Sequence, residues 1–139
     1  APQHHFIAKA AMRALNSWIV GGVAPPSFPH LAINAAGNGF EVDDYDNALG
    51  GVRSPWVDVP IARLSGLNRS PRDGEGLCFL FGSTNMLDNA TLQALYPTNA
   101  DYVAAITTAT YEAVNAGALL PEDAELAIGA AAEADIPPQ

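Results

Sequence analysis

The segment Asp44–Pro60 reads DYDNALGGVRSPWVDVP and combines features that disfavour a long helix or strand. Glycines are adjacent at positions 50 and 51, prolines occur at 55 and 60, and acidic side chains flank a single cation, Arg53. Glycine and proline interrupt regular structure, whereas the apolar Trp56 and Val57 favour burial. The segment therefore predicts ordered loops and short strands arranged around Arg53.

Arg53 is the residue that we expect to organise this segment. A guanidinium presents its donors in a fixed fork that suits carboxylates and backbone carbonyls. The nearby carboxylates are Asp43, Asp46 and Asp58. We expect a buried Arg53 to hold loops together through one or more of them, and we retain the alternative that it faces a substrate. The candidate loop-organising or pocket residues are thus Asp43, Asp46, Arg53, Trp56 and Asp58.

The acidic stretch 41–47 raises the question of a metal site. Read from Asp44, the EF-hand pattern requires Asp46, then Asp or Asn at 48 and Gly at 49, but Ala48 and Leu49 occupy those positions. A noncanonical calcium site is the minor alternative, and turns with side-chain to backbone hydrogen bonds are the main expectation. The three histidines and the single cysteine lack metal-ligand spacing, so we expect no metal and no cofactor.

Residues 1–22 are predicted to form an amphipathic helix. Apolar residues recur between His5 and Val20 at the three- and four-residue spacing of one helix face. Gly21 and Gly22 fit a left-handed helix end, and the prolines that follow prevent the helix from resuming. The apolar face comprises Ile7, Ala11, Ala14, Leu15 and Trp18.

Residues 23–87 are predicted as loops and short strands. Leu31–Ile33 and Val57–Ala62 are short apolar runs between clusters of Gly, Pro, Asp and Asn. The run Leu77–Phe81 is apolar enough to be a buried strand or a packed loop, and Cys78 within it is expected to act as a small buried hydrophobe.

Residues 88–139 are predicted to be helical. Asp88 or Asn89 can cap a short helix that ends before Pro97, and Thr98 or Asn99 can cap a long helix that ends at Gly117. Pro121 suits the first turn of a last helix. Its inner face is expected to comprise Leu126, Ala127, Ala130 and Ala134.

Length and charge limit the kinds of partner. With 139 residues the chain fits one unit, 1–139, with its own core. The net charge of −9 disfavours nucleic acid and anionic membranes as partners. Charged residues make up 15% of the chain, below the roughly 25% of typical soluble domains, so part of the surface is expected to be covered. No targeting signal is visible, and a secreted or periplasmic location is favoured.

Ser83, between Gly82 and Thr84, is the serine that most resembles an activated nucleophile. A nucleophile elbow, Gly-x-Ser-x-Gly, would need glycines at 81 and 85, where Phe81 and Asn85 stand. A role for Ser83 in a turn or a helix cap is therefore preferred to a role as nucleophile. No catalytic residue is assigned in this chain.

Three segments occur together in a recognisable order. The first is Ala10–Ile19 followed by Gly22 and two prolines, and the second is Asp44–Pro60. The third is LQALYP at 92–97, followed by Tyr102-Val103 and by AGALLPEDA at 116–124. This order resembles the C-terminal part of a bacterial family of alpha/beta-hydrolase domain proteins, over nearly the whole chain.

The resemblance implies an α/β fold class, with this chain as a C-terminal segment that is itself mostly helical around a loop-rich middle. It implies hydrolysis of an ester-like or acyl bond by a serine that lies upstream, outside this chain. The expected partners are the N-terminal portion of the parent hydrolase and a small ester-like substrate. The chain would be inactive alone and would complete a pocket wall with Phe40, Tyr45, Trp56 and Phe79.

The competing interpretation is a stand-alone acidic module that holds a ligand or calcium in the loop 41–58. A hydrolase segment should expose a large apolar patch and be poorly stable without its partner, whereas a free module should be monomeric and fold cooperatively. Sparse charge, the missing elbow and a start close to the first helix lead us to expect the segment.

Overall fold

The computed structural model describes residues 3–66 and 82–138. They form a mostly helical chain with a two-stranded antiparallel sheet, as the sequence predicted. The predicted strand or packed loop Leu77–Phe81, with Cys78, lies outside the described residues. The elements in chain order are α1 Gln3–Gly21, α2 Pro55–Asp58, β1 Ala62–Ser65, β2 Ser83–Met86, α3 Asn89–Leu95, α4 Asn99–Asn115 and α5 Pro121–Glu133.

Helix α1 confirms the predicted helix and its end. Gly22 has φ +69° and donates its amide to the Trp18 carbonyl at 2.9 Å, which is a left-handed helix cap. Only part of its apolar face enters the core. Ala10 is the buried residue of the helix, whereas Leu15 and Trp18 are half exposed. Within the described part of the chain, no helix has the length and apolarity needed to cross a membrane.

The middle of the chain is a set of hydrogen-bonded loops. Isolated β-bridges join Ile33 to Phe40 and Val42 to Ala48. The apolar run Val57–Ala62, predicted as part of the loops and short strands, is divided between α2 and the start of β1. Pro55 occupies the first helical position, so residues 55–58 turn helically before β1 begins at Ala62 and pairs with Met86 of β2.

The main core lies between α2, α3, α4 and α5. Helix α4 packs against α5 and also contacts α2. The buried hydroxyl of Tyr96 donates to the Pro60 carbonyl at 3.1 Å, so the end of α3 is held near β1. Burial raises the pKa of Tyr96 and of Tyr102, so both remain neutral donors. The buried cluster comprises Val59, Leu92, Tyr96, Tyr102, Ile106, Ala109, Ala131 and Ile136.

The predicted starts of the C-terminal helices are confirmed. Asp88 caps α3 by accepting the Thr91 amide at 2.9 Å. Thr98 caps α4 in a capping box with Asp101, whose carboxylate accepts the Thr98 amide at 2.9 Å. Gly117, at φ +77°, follows the end of α4.

The predicted inner face of α5 is confirmed at Ala127 and Ala134 and is wrong at Leu126 and Ala130. Leu126 is 61% exposed and Ala130 is exposed, whereas Asp123, Ala124, Ala127 and Ala131 are buried. The helix is rotated relative to the prediction because Asp123 points inward to an ion pair with Lys9 of α1. The apolar stripe at 124, 127 and 131 then packs in the core.

Candidate functional site

Arg53 lies at the centre of a hydrogen-bonded cluster of loops. Its Nε donates to Asp58 at 2.5 Å, and Nη2 contacts an Asp43 carboxylate oxygen at 3.1 Å. The guanidinium also donates to the carbonyls of Ala48 at 2.6 Å and Val57 at 3.2 Å. Burial lowers the pKa of Arg53, but the bonds and charges of Asp58 and Asp43 outweigh it and raise the pKa above its ordinary value. Arg53 therefore joins the loop 43–48 to α2.

Asp43 closes a turn and contacts Arg53 with its other oxygen. Its Oδ1 accepts the amides of Tyr45 and Asn47, each at 2.9 Å. Partial burial opposes ionisation, but the Asn47 amide, Arg53 and the Tyr45 amide together outweigh it and hold the pKa of Asp43 below its ordinary value. Asp43 is thus an ionised acceptor that fixes the turn against the guanidinium.

Asp46 and Asn47 act apart from Arg53. Asp46 adopts φ +61° and pairs with Arg63 of β1 at 3.2 Å. The side chain of Asn47, 1% exposed, accepts the Leu64 amide at 2.7 Å and donates to the Ala62 carbonyl at 3.2 Å. The turn is therefore pinned to the edge of β1 by a residue that the sequence analysis did not single out.

These bonds occupy the carboxylates that a calcium loop would use. Asp43 and Asp58 contact Arg53, and Asp43 also accepts two backbone amides. Across residues 3–66 and 82–138, no group of three or more His, Cys, Asp or Glu is placed to hold a metal ion. The acidic stretch is therefore a turn stabilised by side-chain to backbone bonds.

The predicted aromatic pocket wall is dispersed in the structure. Trp56 stacks on Phe6 of α1, with ring centroids 5.4 Å apart, and packs against the main core. Phe40 is 51% exposed in a β-bridge, and Tyr45 is half buried in the Asp43 turn. Phe79 lies outside the described residues. Trp56 thus joins α1 to α2. None of the three described aromatic side chains lines either of the two cavities beside α1.

One cavity, here called the α1 cavity, has a volume of about 280 Å³ and an apolar lining. It lies between α1 and the segment 25–28. The lining includes Ala14, Leu15, Trp18, Pro25, Pro26 and Phe28. The apolar face predicted for α1 therefore borders this open cavity.

A second cavity, here called the hairpin cavity, has a volume of about 640 Å³ and lies between the start of α1 and the β1–β2 pair. Its polar lining comes from His4, Ser54, Ser65, Ser83 and Thr84, and its apolar lining includes Ile7, Val57 and Leu64. Ser83, expected in a turn or a helix cap, instead begins β2 opposite Ser65. Hydroxyl groups from separate elements therefore meet at one cavity.

Helix α1 is attached to the rest of the chain by its N-terminal half. Phe6 and Ile7 pack against the buried Ala113, Ala118 and Leu119. Lys9 bonds the buried Asp123, and Arg13 bonds Glu122 at 2.6 Å. The backbone amide of Glu122 and, after it, the bond to Arg13 hold the pKa of Glu122 below its ordinary value. Beyond these contacts the apolar surface of α1 is open to solvent, with Met12 at 71%, Ile19 at 75% and Val20 at 80% exposure.

Sequence reasoning missed Asn47, Ser54 and the Lys9–Asp123 pair. Ser54 precedes Pro55, and a serine before a proline is a common start of a helix. The sequence therefore contains a local signal for the start of α2. The Lys9–Asp123 pair joins residues 114 positions apart, and nothing local in the sequence indicates it.

Comparison with known proteins gives one family. A family model described as Alpha/beta hydrolase domain matches residues 1–129, from the start of α1 into α5. No curated protein and no solved structure shows a significant match. The similarity thus includes the Arg53 loops and both cavities.

Proposed function

Because the chain belongs to the alpha/beta hydrolase domain family, we propose that it is the structural and pocket-forming part of a serine-type hydrolase that acts on an ester-like or acyl substrate. The nucleophile in this proposal is supplied by the N-terminal portion of the parent hydrolase. The family assignment supports the α/β fold class and a hydrolase-like fold.

The serines of the chain support an external nucleophile. Among its six serines, none has glycine two positions before and two positions after it. The nucleophile elbow of this fold requires that pattern, because the serine sits in a strained strand-to-helix turn. The chain therefore lacks the usual sequence feature of an alpha/beta-hydrolase nucleophile.

The open surface of α1 is the observation that carries the proposal. Met12, Ile19 and Val20 are mostly exposed, and Leu15 and Trp18 are half exposed on the same helix. Several exposed apolar side chains on one helix are typical of an interface, since exposing them to water is unfavourable. The catalytic body of a hydrolase, packed on the C-terminal half of α1, would cover them.

The alternative of a stand-alone calcium or ligand module in the loop 41–58 has less support. Asp43 and Asp58 are bonded to Arg53, and Asp46 is bonded to Arg63. A ligand or cation at this loop would have to displace these pairs. We therefore assign Arg53 and its carboxylates to loop organisation.

The proposal is tested by locating the reactive serine. The sequence is tagged in its source organism, the native protein is isolated, and it is treated with a fluorophosphonate that labels activated serines. We expect the label on a Gly-x-Ser-x-Gly serine outside these 139 residues, in the same polypeptide or in one bound to it. The isolated 139-residue chain should neither take the label nor hydrolyse p-nitrophenyl acetate.

Two matched variants test the interface. Ile19→Lys places a charge on the open surface of α1, whereas Leu126→Lys does the same on α5, where the side chain is similarly exposed. Ile19→Lys should strongly reduce labelling of the native protein, and Leu126→Lys should leave it unchanged. A label on Ser83, or esterase activity of the isolated chain that Ser83→Ala abolishes, would show the proposal to be wrong.

A further inference from the structure

The hairpin cavity has the composition of a ligand site that is separate from the Arg53 cluster. We propose that it binds a small uncharged molecule with an apolar body and one carbonyl or hydroxyl group, and that Ser54 makes the hydrogen bond to that group. The proposal concerns this chain alone and does not depend on the hydrolase function.

Ser54 is the polar group around which the site is built. The residue is 4% exposed and occupies the cap position of α2, yet its side chain makes no capping hydrogen bond. Its Oγ has no hydrogen-bond partner among the described residues, and this oxygen is not fully enclosed by protein, so it is accessible from the cavity. Thr110 Oγ1 and Asp123 Oδ2 are fully enclosed without a partner, whereas Ser54 Oγ is open to the cavity that the residue lines.

The cavity therefore gives this hydroxyl a partner from outside the protein. Water can fill that role when the site is free, and a ligand oxygen can replace the water with an equivalent bond. The hydroxyl both donates and accepts, so it suits a carbonyl or an alcohol. Apolar side chains from α1, α2 and β1, namely Ile7, Val57 and Leu64, provide contacts for the rest of the molecule.

The side chains that line the hairpin cavity favour a neutral ligand. Apart from the imidazole of His4, the described lining contains no acidic or basic side chain, so a charged ligand finds no Lys, Arg, Asp or Glu as an ion-pair partner there. The net charge of −9 further disfavours anions. The volume of about 640 Å³ falls within the range of small-molecule sites, roughly 300–1,000 Å³.

The test uses 2-heptanone as the probe, because it is neutral, carries a carbonyl and cannot be hydrolysed. Titration into the ¹⁵N-labelled chain should shift the amide signals of Ser54, Leu64 and Thr84 in a saturable way. Hexanoate and hexylammonium, of similar length but charged, should bind more weakly. Ser54→Ala removes one hydrogen bond and should weaken 2-heptanone binding roughly two- to tenfold.

Two variants make the result specific. Ala8→Phe fills the cavity from an exposed position of α1 and should abolish binding, while Ser27→Ala, at an exposed position outside both cavities, should leave it unchanged. The inference is overturned if no amide shifts, if Ser54→Ala binds 2-heptanone as well as the unaltered chain, or if the shifts occur at Trp18 and Phe28 of the α1 cavity. A saturable signal at Ser54 together with an unlabelled native protein would support this site and refute the proposed hydrolase.

Discussion

Arg53 binds oxygens from three parts of the chain: Asp43 and Ala48 in the turn, Val57 in the backbone of α2, and Asp58 at its end. A lysine could not reproduce this arrangement, because an ammonium is a point charge without the planar fork. The sequence indicated Arg53 as the organising residue because carboxylates flank it. The sequence alone does not show whether Asp43 or Asp46 is the partner of Arg53. The partner depends on the conformation of the turn, in which Asp46 takes a positive φ and faces Arg63.

Replacing Asp43 with asparagine tests the charge in this cluster. The pKa of Asp43 is lowered in the folded chain, so its carboxylate adds stability above the unfolded pKa of about 3.9, and that contribution is lost as the pH falls through the folded pKa. Asp43→Asn keeps an oxygen for the two backbone amides but loses the charge facing Arg53. We expect the free energy of unfolding at pH 7 to fall by about 1–3 kcal/mol.

Urea denaturation at a series of pH values measures this effect. The difference between Asp43→Asn and the unaltered chain should shrink as the pH falls from about 4 through the lowered pKa of folded Asp43, because the carboxyl becomes neutral first in the unfolded chain and then in the folded one. Asp44→Asn is the matched control, since Asp44 is exposed and has no ion pair or side-chain hydrogen bond within the described residues. A loss for Asp43→Asn that is the same at every pH would contradict the ion-pair explanation.

At the scale of the elements, the pair Gly50-Gly51 allows two loops to touch. Gly51 donates its amide to the Pro29 carbonyl at 3.0 Å, and Ala32 donates to the Leu49 carbonyl at 3.0 Å. Gly50 has φ +76°, and a Cβ there would lie 2.2 Å from the His30 carbonyl oxygen. The glycine is required both by its conformation and by the backbone against it.

Gly50→Ala should therefore destabilise the chain by more than Gly37→Ala. Both glycines have positive φ, but no atom lies within 4 Å of a Cβ at Gly37. We expect roughly 1–2 kcal/mol for the strained backbone alone at Gly37, and a larger loss at Gly50, where backbone must also move. Thermal unfolding followed by circular dichroism compares them, and equal losses would mean that the contact with His30 is unimportant.

Prediction from the sequence succeeded where local chemistry determines an element. The ends of α1, α3 and α4 depend on caps within a few residues, such as Asp88 and Thr98, and all were predicted. The prediction for the inner face of α5 was wrong at Leu126 and Ala130 because the many alanines of that helix give no clear periodicity. Its rotation depends on Asp123 meeting Lys9, a contact between the two ends of the chain.

At the scale of the whole molecule, α1 is held to the body of the chain over a small area. Phe6 stacks on Trp56, Lys9 bonds Asp123 and Arg13 bonds Glu122, while the C-terminal half of the helix is largely exposed. The two ion pairs differ in environment. The side chain of Asp123 is 2% exposed and that of Glu122 is 50% exposed. An ion pair at the surface contributes little, whereas breaking a buried pair leaves an uncompensated charge.

Lys9→Met should therefore release α1 far more than Arg13→Met. Methionine keeps the apolar stem but leaves Asp123 buried without a cation, and its second carboxylate oxygen already lacks a hydrogen-bond partner. We expect Lys9→Met to lower the free energy of unfolding by roughly 3–5 kcal/mol and Arg13→Met to leave it nearly unchanged. In a Trp18→Phe background, where Trp56 is the only tryptophan, its fluorescence reports the separation of Phe6. Lys9→Met combined with Asp123→Asn should recover most of the loss. If the double variant is as unstable as Lys9→Met alone, the buried charge is not what attaches α1, and its attachment depends on the apolar contacts of Phe6 and Ile7.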